Sequence, residues 1–229
     1  MGECFTLRRN ADPHEEESAV KFRLYYEGPL YAANVRDFAS DKRSSHKHDL
    51  RRQFHRQLKH FWETHLWLRD SKGGRSILGL PPRENDPHDY KAPLVESIAE
   101  AHEINGRHFV PLVCEQFHLL CELDILLLRR DRPGGIIQAR DIDNRLKTLF
   151  DALRMPKPGV EIASAVFEPN EDPMFVLLQD DSLITRVTVE TDELLDPPPE
   201  SGKDDAWVRL LVHVKLHPYR VGMFNLSFA

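Results

Sequence analysis

Hydrophobic and polar residues change rhythm several times along this chain. Val20 to Gly28, VKFRLYYEG, has the β-branched and aromatic content of a strand and stops at the turn signal Gly28-Pro29. From Lys42 to Leu68, the residues Leu50, Phe54, Leu58, Phe61 and Leu66 recur at roughly helical spacing, which predicts an amphipathic helix with a basic outer face. Arg69 to Ala92, broken by Gly73-Gly74 and Pro81-Pro82, reads as an irregular loop, and Pro93 to His102 as a short helix. Gly106 to Arg130 is the most hydrophobic part of the chain. It reads as two strands turning near Glu115-Gln116, with Pro111 placing the first at an edge or at a bulge.

The segment DRPGG, Asp131 to Gly135, is a turn, and Ala139 to Leu153 then carries Ile142, Leu146, Leu149, Phe150 and Leu153 on one helical face. Arg154 to Pro173 reads as a Pro-containing loop, and Phe175 to Thr191 as strands around a turn. DPPPESGKDD is a solvated linker, and Trp207 to Pro218 a strand with alternating faces. Strand, helix, two strands, helix, two strands predicts an α/β or α+β fold, a mixed β-sheet packed by helices. Residues 1–19 read as a frayed terminus and 20–229 as a single domain with the basic helix, about 42–68, near its start.

Composition narrows the functional classes. At 229 residues and 41% hydrophobic content, the chain can bury one substantial core. Its net charge of -6 offers no global attraction for nucleic acid, so DNA binding needs a local patch. Cys4, Cys114 and Cys121 form neither a disulfide framework nor a metal pair, and the last two lie in apolar segments as buried thiols. No apolar run approaches the ~20 residues of a membrane span, and the start MGECFTLRRN lacks the apolar middle of a signal peptide. These features point to a cytoplasmic protein with no membrane partner.

The motif ARDIDNRLKTLFDAL places Asp141 just before the helix or at its cap, with Asp143 and Lys147 one turn apart on its polar side. One carboxylate would serve as a cap that offsets the helix dipole, and Lys147 could be an i, i+4 partner of Asp143. Two carboxylates in so small a volume also suit a hard divalent cation, Mg²⁺ or Mn²⁺. A second acidic element, Gln179-Asp180-Asp181-Ser182, lies between the apolar runs FVLL and LITRVTV. It reads either as a hairpin turn or as the source of a third carboxylate.

DIDNRLKTLFDAL followed by QDDSLI resembles the pattern of the RusA family of Holliday junction resolvases. In that family a D-x-D-N-x-x-K-x-x-x-D-A-L helix precedes an Asp-Asp turn. The match takes in Asp141, Asp143, Asn144, Lys147, Asp151-Ala152-Leu153, Asp180-Asp181 and Ile184, and spans roughly Phe117 to Pro218, under half of the chain. The resemblance implies a RusA-like fold and a homodimeric, Mg²⁺-dependent endonuclease that nicks branched DNA. It also implies Asp141, Asp143 and Asp181 as metal ligands and Lys147 as the catalytic lysine. Phosphodiester hydrolysis needs an activated water and neutralisation of phosphoryl charge, which carboxylate-held metal ions and a nearby lysine provide.

The chain also departs from the family. YYEGPLYAAN and the long basic helix, an enlarged N-terminal region, stand where the family has a Pro-Pro-Ser-Asn type segment. More residues separate Leu153 from Asp180, and Glu190-Thr191 replace a common lysine. The catalytic core matches, whereas parts that face substrate differ. Lys42, Arg43, Lys47, Arg51, Arg52, Arg56 and Lys59 make the strongest local positive field and a candidate DNA footprint, against the reading of a solvated helix face. Arg140, with Arg129, Arg130 and Arg132, is a second basic surface beside the motif. Two other classes compete with the nuclease: a nucleic-acid-binding subunit without turnover, and an interaction protein whose acidic motifs are caps and turns. A nuclease for flaps, ordinary duplex or RNA is a variant of the first reading.

Overall fold

The computed structural model describes residues 20–33, 40–82, 91–130, 139–163, 165–196 and 206–228, with backbone alone at 40, 41, 139–141, 160 and 163. The expected frayed terminus, most of the DPPPESGKDD linker, the DRPGG turn, Arg132 and Cys4 lie outside these residues. The fold is α+β, built on two mixed sheets.

Strands β1 (Val20–Pro29), β4 (Leu119–Arg129), β6 (Ile184–Glu193) and β7 (Trp207–Pro218) form the larger sheet in the order β1-β7-β4-β6. β7 runs antiparallel to both β1 and β4, and β6 runs parallel to β4. Alternation along the two central strands gives this sheet one buried face: Leu119, Cys121, Leu123, Ile125 and Leu127 from β4, and Val208, Leu210, Val212, Val214 and Leu216 from β7. The smaller sheet orders β2 (Glu103–Ile104), β3 (Arg107–Val113) and β5 (Met174–Leu178) as β2-β3-β5. β2 pairs only with Arg107 and His108, so at Pro111 the strand has a sheet partner on one side alone. That is the edge position its missing N–H requires. β5, MFVLL, pairs parallel with β3 and is buried throughout.

The two apolar strand pairs of the sequence are therefore not hairpins. β3 and β4 turn at a short 3₁₀ helix, Glu115–Phe117, and β5 and β6 at another, Asp181–Leu183, but each turn passes the chain from one sheet to the other.

Helix α1 (Ser40–Thr64) buries Leu50, Phe54, Leu58 and Trp62, a stripe at i, i+4 spacing, against β5 and the motif helix. It breaks at His65 and resumes as α2 (Leu66–Asp70), so Leu66 points outward, 68% exposed, and Trp62 takes the core position expected of it. Short helices α3 (Gly74–Ile77) and α4 (Leu94–Ala101) follow. The motif forms α5 (Ala139–Leu153), which buries Leu149, Ala152 and Leu153 and packs Leu146 and Phe150 against the same core. Within the segment read as a loop, Val160–Ala163 forms a further turn of helix, α6.

Candidate functional site

The helix begins at Ala139, so Asp141 belongs to its first turn rather than preceding it. The side chains of Arg140 and Asp141 lie outside the described residues. Asp143 and Lys147 are exposed on the polar side of α5. The ion pair that their spacing allows does not form, and neither side chain is held by another described residue.

Asp151, two turns further along α5, behaves oppositely. Its Oδ2 is 2.6 Å from Lys47 Nζ, and its Oδ1 accepts a hydrogen bond from Arg154 Nη2. Arg154 in turn meets Glu161 Oε1 at 3.1 Å, and Lys47 meets the same oxygen at 3.6 Å. Burial pushes the Asp151 carboxyl up, but the Lys47 hydrogen bond and the Arg154 charge outweigh it and hold it below the usual range. The 3.6-residue period carries the α5 carboxylates to different places: Asp143 faces solvent and Asp151 faces α1.

In the acidic turn Asp180 serves the local backbone. Its Oδ1 accepts from Ser182 N–H at 3.0 Å, and bonding to Ser182 holds its carboxyl below the usual range. Asp181 is left exposed at the first position of the turn. The end of β5, just before the turn, meets the chain just after α5: Arg154 bridges to Leu178, and Met155 N–H donates to Leu178 O at 2.9 Å. Asp143 lies about 16 Å up the axis from Arg154 at about 1.5 Å per residue. Among the described residues no three His, Cys, Asp or Glu side chains gather to hold a metal ion.

The basic helix requires a correction, because several of its cations face inward. Arg51 is buried, donating from Nη2 to Asp151 O at 2.7 Å and from Nε to Arg154 O at 3.2 Å. Burial pulls its pKa down to about 10, which still leaves it charged at neutral pH. Arg52 pairs with the buried Glu171 and donates from Nη2 to Val166 O at 2.8 Å. Lys47 is held by Asp151 and Glu161. The histidines follow the same direction: His48 Nε2 lies 3.1 Å from Val166 O and 3.6 Å from Glu171, and His55 Nδ1 accepts Phe175 N–H at 2.9 Å. Lys47 and Arg52 thus answer Asp151 of α5 and Glu161 and Glu171 of the segment beyond it, and Arg51 serves carbonyls at the end of α5. Of the expected footprint, Lys42, Arg43 and Arg56 are exposed and Lys59 is half-buried.

Sequence reasoning missed Asp151, Arg154, Glu161 and Glu171 as a network. The i, i+3 spacing of Asp151 and Arg154 was the one local signal. It also missed a pocket of about 210 Å³ between α1, α5 and the chain after β1, lined by Tyr31, Ala32, Ala33, Arg43, His46, Lys47, Lys147, Thr148 and Asp151. Ala33 N–H donates to Asn144 O at 3.1 Å and Arg43 Nη1 to Ala33 O at 3.1 Å, which fixes the rim to both helices. Lys147, the lysine of the motif, is part of this wall. Compared with family models, curated proteins and solved structures, the chain matches none.

Proposed function

We propose that this chain is a metal-dependent endonuclease that hydrolyses phosphodiester bonds in structured DNA, with RusA-like chemistry, branched junctions as its substrates and a homodimer as its working form. The observation that carries the reading is the division of labour on α5. Asp151 is consumed by the structural network, while Asp143 and Lys147, one turn apart, stay exposed and uncommitted to each other. Likewise Asp180 holds the acidic turn and leaves Asp181 exposed.

Carboxylates suit a hard cation, since Mg²⁺ or Mn²⁺ takes one or two protein carboxylates and keeps its waters. Asp141, Asp143 and Asp181 would hold it. Bound there, the ion supplies charge neutralisation and an activated water. Lys147 contributes a fixed positive charge where negative charge develops on the phosphoryl group. No helix among the described residues is long and apolar enough to cross a membrane. Cleavage assays with Mg²⁺ or Mn²⁺ on four-way junction, flap, duplex and single-stranded DNA and on RNA test the proposal. Metal-dependent nicking of the junction is the expected result, and no cleavage of any substrate by a folded, metal-loaded protein overturns it.

A further inference from the structure

The larger sheet ends in two unlike edges. At β1 the Gln57 side chain of α1 accepts Tyr25 N–H at 2.9 Å and donates from Nε2 to Tyr25 O at 2.7 Å, occupying backbone groups that an incoming strand would need. β6, the opposite edge, has no such cover. It runs for 10 residues, pairs parallel with β4 on one side, and among the described residues meets no strand on the other. It carries neither Pro nor Lys, which commonly guard an edge, and its one irregularity lies at its start, beside Cys121 and Glu122. Thr185 to Thr188 and Glu190 are exposed. Val187 is 40% exposed although Leu123, its neighbour on β4, is buried. An apolar rim and a row of backbone donors and acceptors therefore lie open together.

The order of residues along this edge indicates what fits it. Thr185-Arg186-Val187-Thr188-Val189-Glu190-Thr191 reads symmetrically about Thr188, with Arg at one end answered by Glu at the other. Laid antiparallel on a second copy about that residue, Thr188 meets Thr188, Val187 meets Val189, Thr185 meets Thr191 and Arg186 meets Glu190, all favourable cross-strand pairs. Other registers lose this match. A centre at Val187 leaves Arg186 opposite Thr188, one at Val189 pairs Arg186 with Asp192 but leaves Glu190 opposite Thr188, and centres at Arg186 or Glu190 set like charges face to face.

Around Arg186, Glu122 lies at 2.9 Å and Asp124 at 3.6 Å, and Lys215 lies 3.9 Å from Glu122. Arg186 is still 56% exposed, so its guanidinium keeps donors for a carboxylate from outside. Its own sheet already supplies as many carboxylates as cations there. The Arg186–Glu190 pairs therefore select the register, while backbone bonds and valine contacts supply the affinity.

We infer that β6 pairs antiparallel with β6 of a second copy across a two-fold axis at Thr188, joining the two larger sheets edge to edge. The interface is isologous. The stretch from Thr185 to Thr191 spans about 23 Å at about 3.3 Å per residue, a short contact, so the dimer forms and dissociates with concentration. This pairing deepens the homodimer of the nuclease reading, on which the choice of a second copy rests, and requires no cleavage.

Sedimentation equilibrium of the metal-free protein, from micromolar to submillimolar concentration, measures the association. Wild type should dimerise. Arg186→Glu sets Glu opposite Glu190, and Glu190→Arg sets Arg opposite Arg186, so each alone should dimerise roughly tenfold more weakly. Mixed together, the two variants should restore a dimer within about threefold of wild type, because both cross-strand pairs are again opposite in sign. A thiol test checks the axis without changing charge. With Cys114 and Cys121 buried and Cys4→Ser as background, Thr188→Cys should form an intermolecular disulfide under mild oxidation. Directly opposite Cα atoms of an antiparallel pair lie about 4.5–5.5 Å apart, within disulfide reach. Arg186→Cys, which faces Glu190 rather than itself, should not link. A wild type that stays monomeric throughout, or a Thr188→Cys that links no better than Arg186→Cys, overturns the pairing, and nicking assays on the same protein judge the nuclease reading separately. A dimer that both reversal variants keep at wild-type strength overturns β6 as the interface and leaves the homodimer standing.

Discussion

Lys47 Nζ on α1 lies 2.6 Å from Asp151 Oδ2 on α5, so a cation of the basic helix is spent on a carboxylate of the motif helix. Arg51 reinforces the joint by donating to two carbonyls at the end of α5, those of Asp151 and Arg154. The basic helix and the segment beyond Leu153 form one polar joint. Their charges, opposite in sign and far apart in sequence, meet across it.

Breaking that joint should unfold the protein before it alters chemistry. Replacing Asp151 with Asn leaves Lys47 and Arg154 short of a buried counter-charge, for which a loss of about 3 kcal/mol is expected in urea titration. Lys147→Gln, at an exposed position without an ion pair, should stay within about 0.5 kcal/mol of wild type. Equal losses in the two variants would contradict the division between structural and chemical residues on α5.

Asp143→Asn should abolish metal-dependent cleavage while DNA affinity in EDTA and stability remain near wild type. It removes ligand charge from an exposed site and leaves the basic surface in place. Cleavage at wild-type rate by this variant would remove α5 from the active site.

The two aspartates of the acidic turn should separate in the same way. Asp180→Ala loses the hydrogen bond from Ser182 and should cost up to about 1 kcal/mol, whereas Asp181→Asn should be neutral in stability and inactive in cleavage. Reversal of the two phenotypes, read by thermal melting and nicking assays, would exchange their roles.

DNA affinity should depend on the exposed part of the basic helix. Changing Lys42, Arg56 and Lys59 together to Gln should flatten the salt dependence by roughly one log-log unit for each DNA phosphate that these side chains neutralise. Arg52→Met, which leaves Glu171 buried without its partner, should lower stability and leave that slope alone. An unchanged slope in the triple variant would make this face merely solvated and remove α1 from the DNA footprint.

Stability should fall in two steps as pH drops. Burial holds His46, His48 and His55 below the ordinary imidazole value, so the unfolded chain takes up protons first. Their contribution is complete above about pH 6.5 and declines below it. Asp151, Glu161 and Glu171 are held below the usual carboxylate range, and their contribution is lost only as pH falls through about 4 and beyond. Melting temperature against pH reads both steps. His48→Gln combined with His55→Gln should flatten the upper one, and an upper step of undiminished size would assign it to other groups.

Elements whose patterning is local follow from the chain's own residues. α5 appears over Ala139–Leu153, and β7 over Trp207–Pro218, because the 3.6-residue and two-residue periods of their apolar positions admit one buried face each. Pro111 announced an incomplete strand partner for the same local reason, its missing N–H. How those elements meet depends on packing between distant segments. Periodicity marks a face but does not name its partner, so β3 and β4, adjacent in sequence, join different sheets. Nor does a run of basic residues show its direction: Arg51 turned inward because carbonyls at the end of α5, about a hundred positions away, satisfy its donors, and Arg52 because Glu171 awaits it. A charge seeks water or a counter-charge, and the supply of counter-charges at each site is settled by packing across the whole chain.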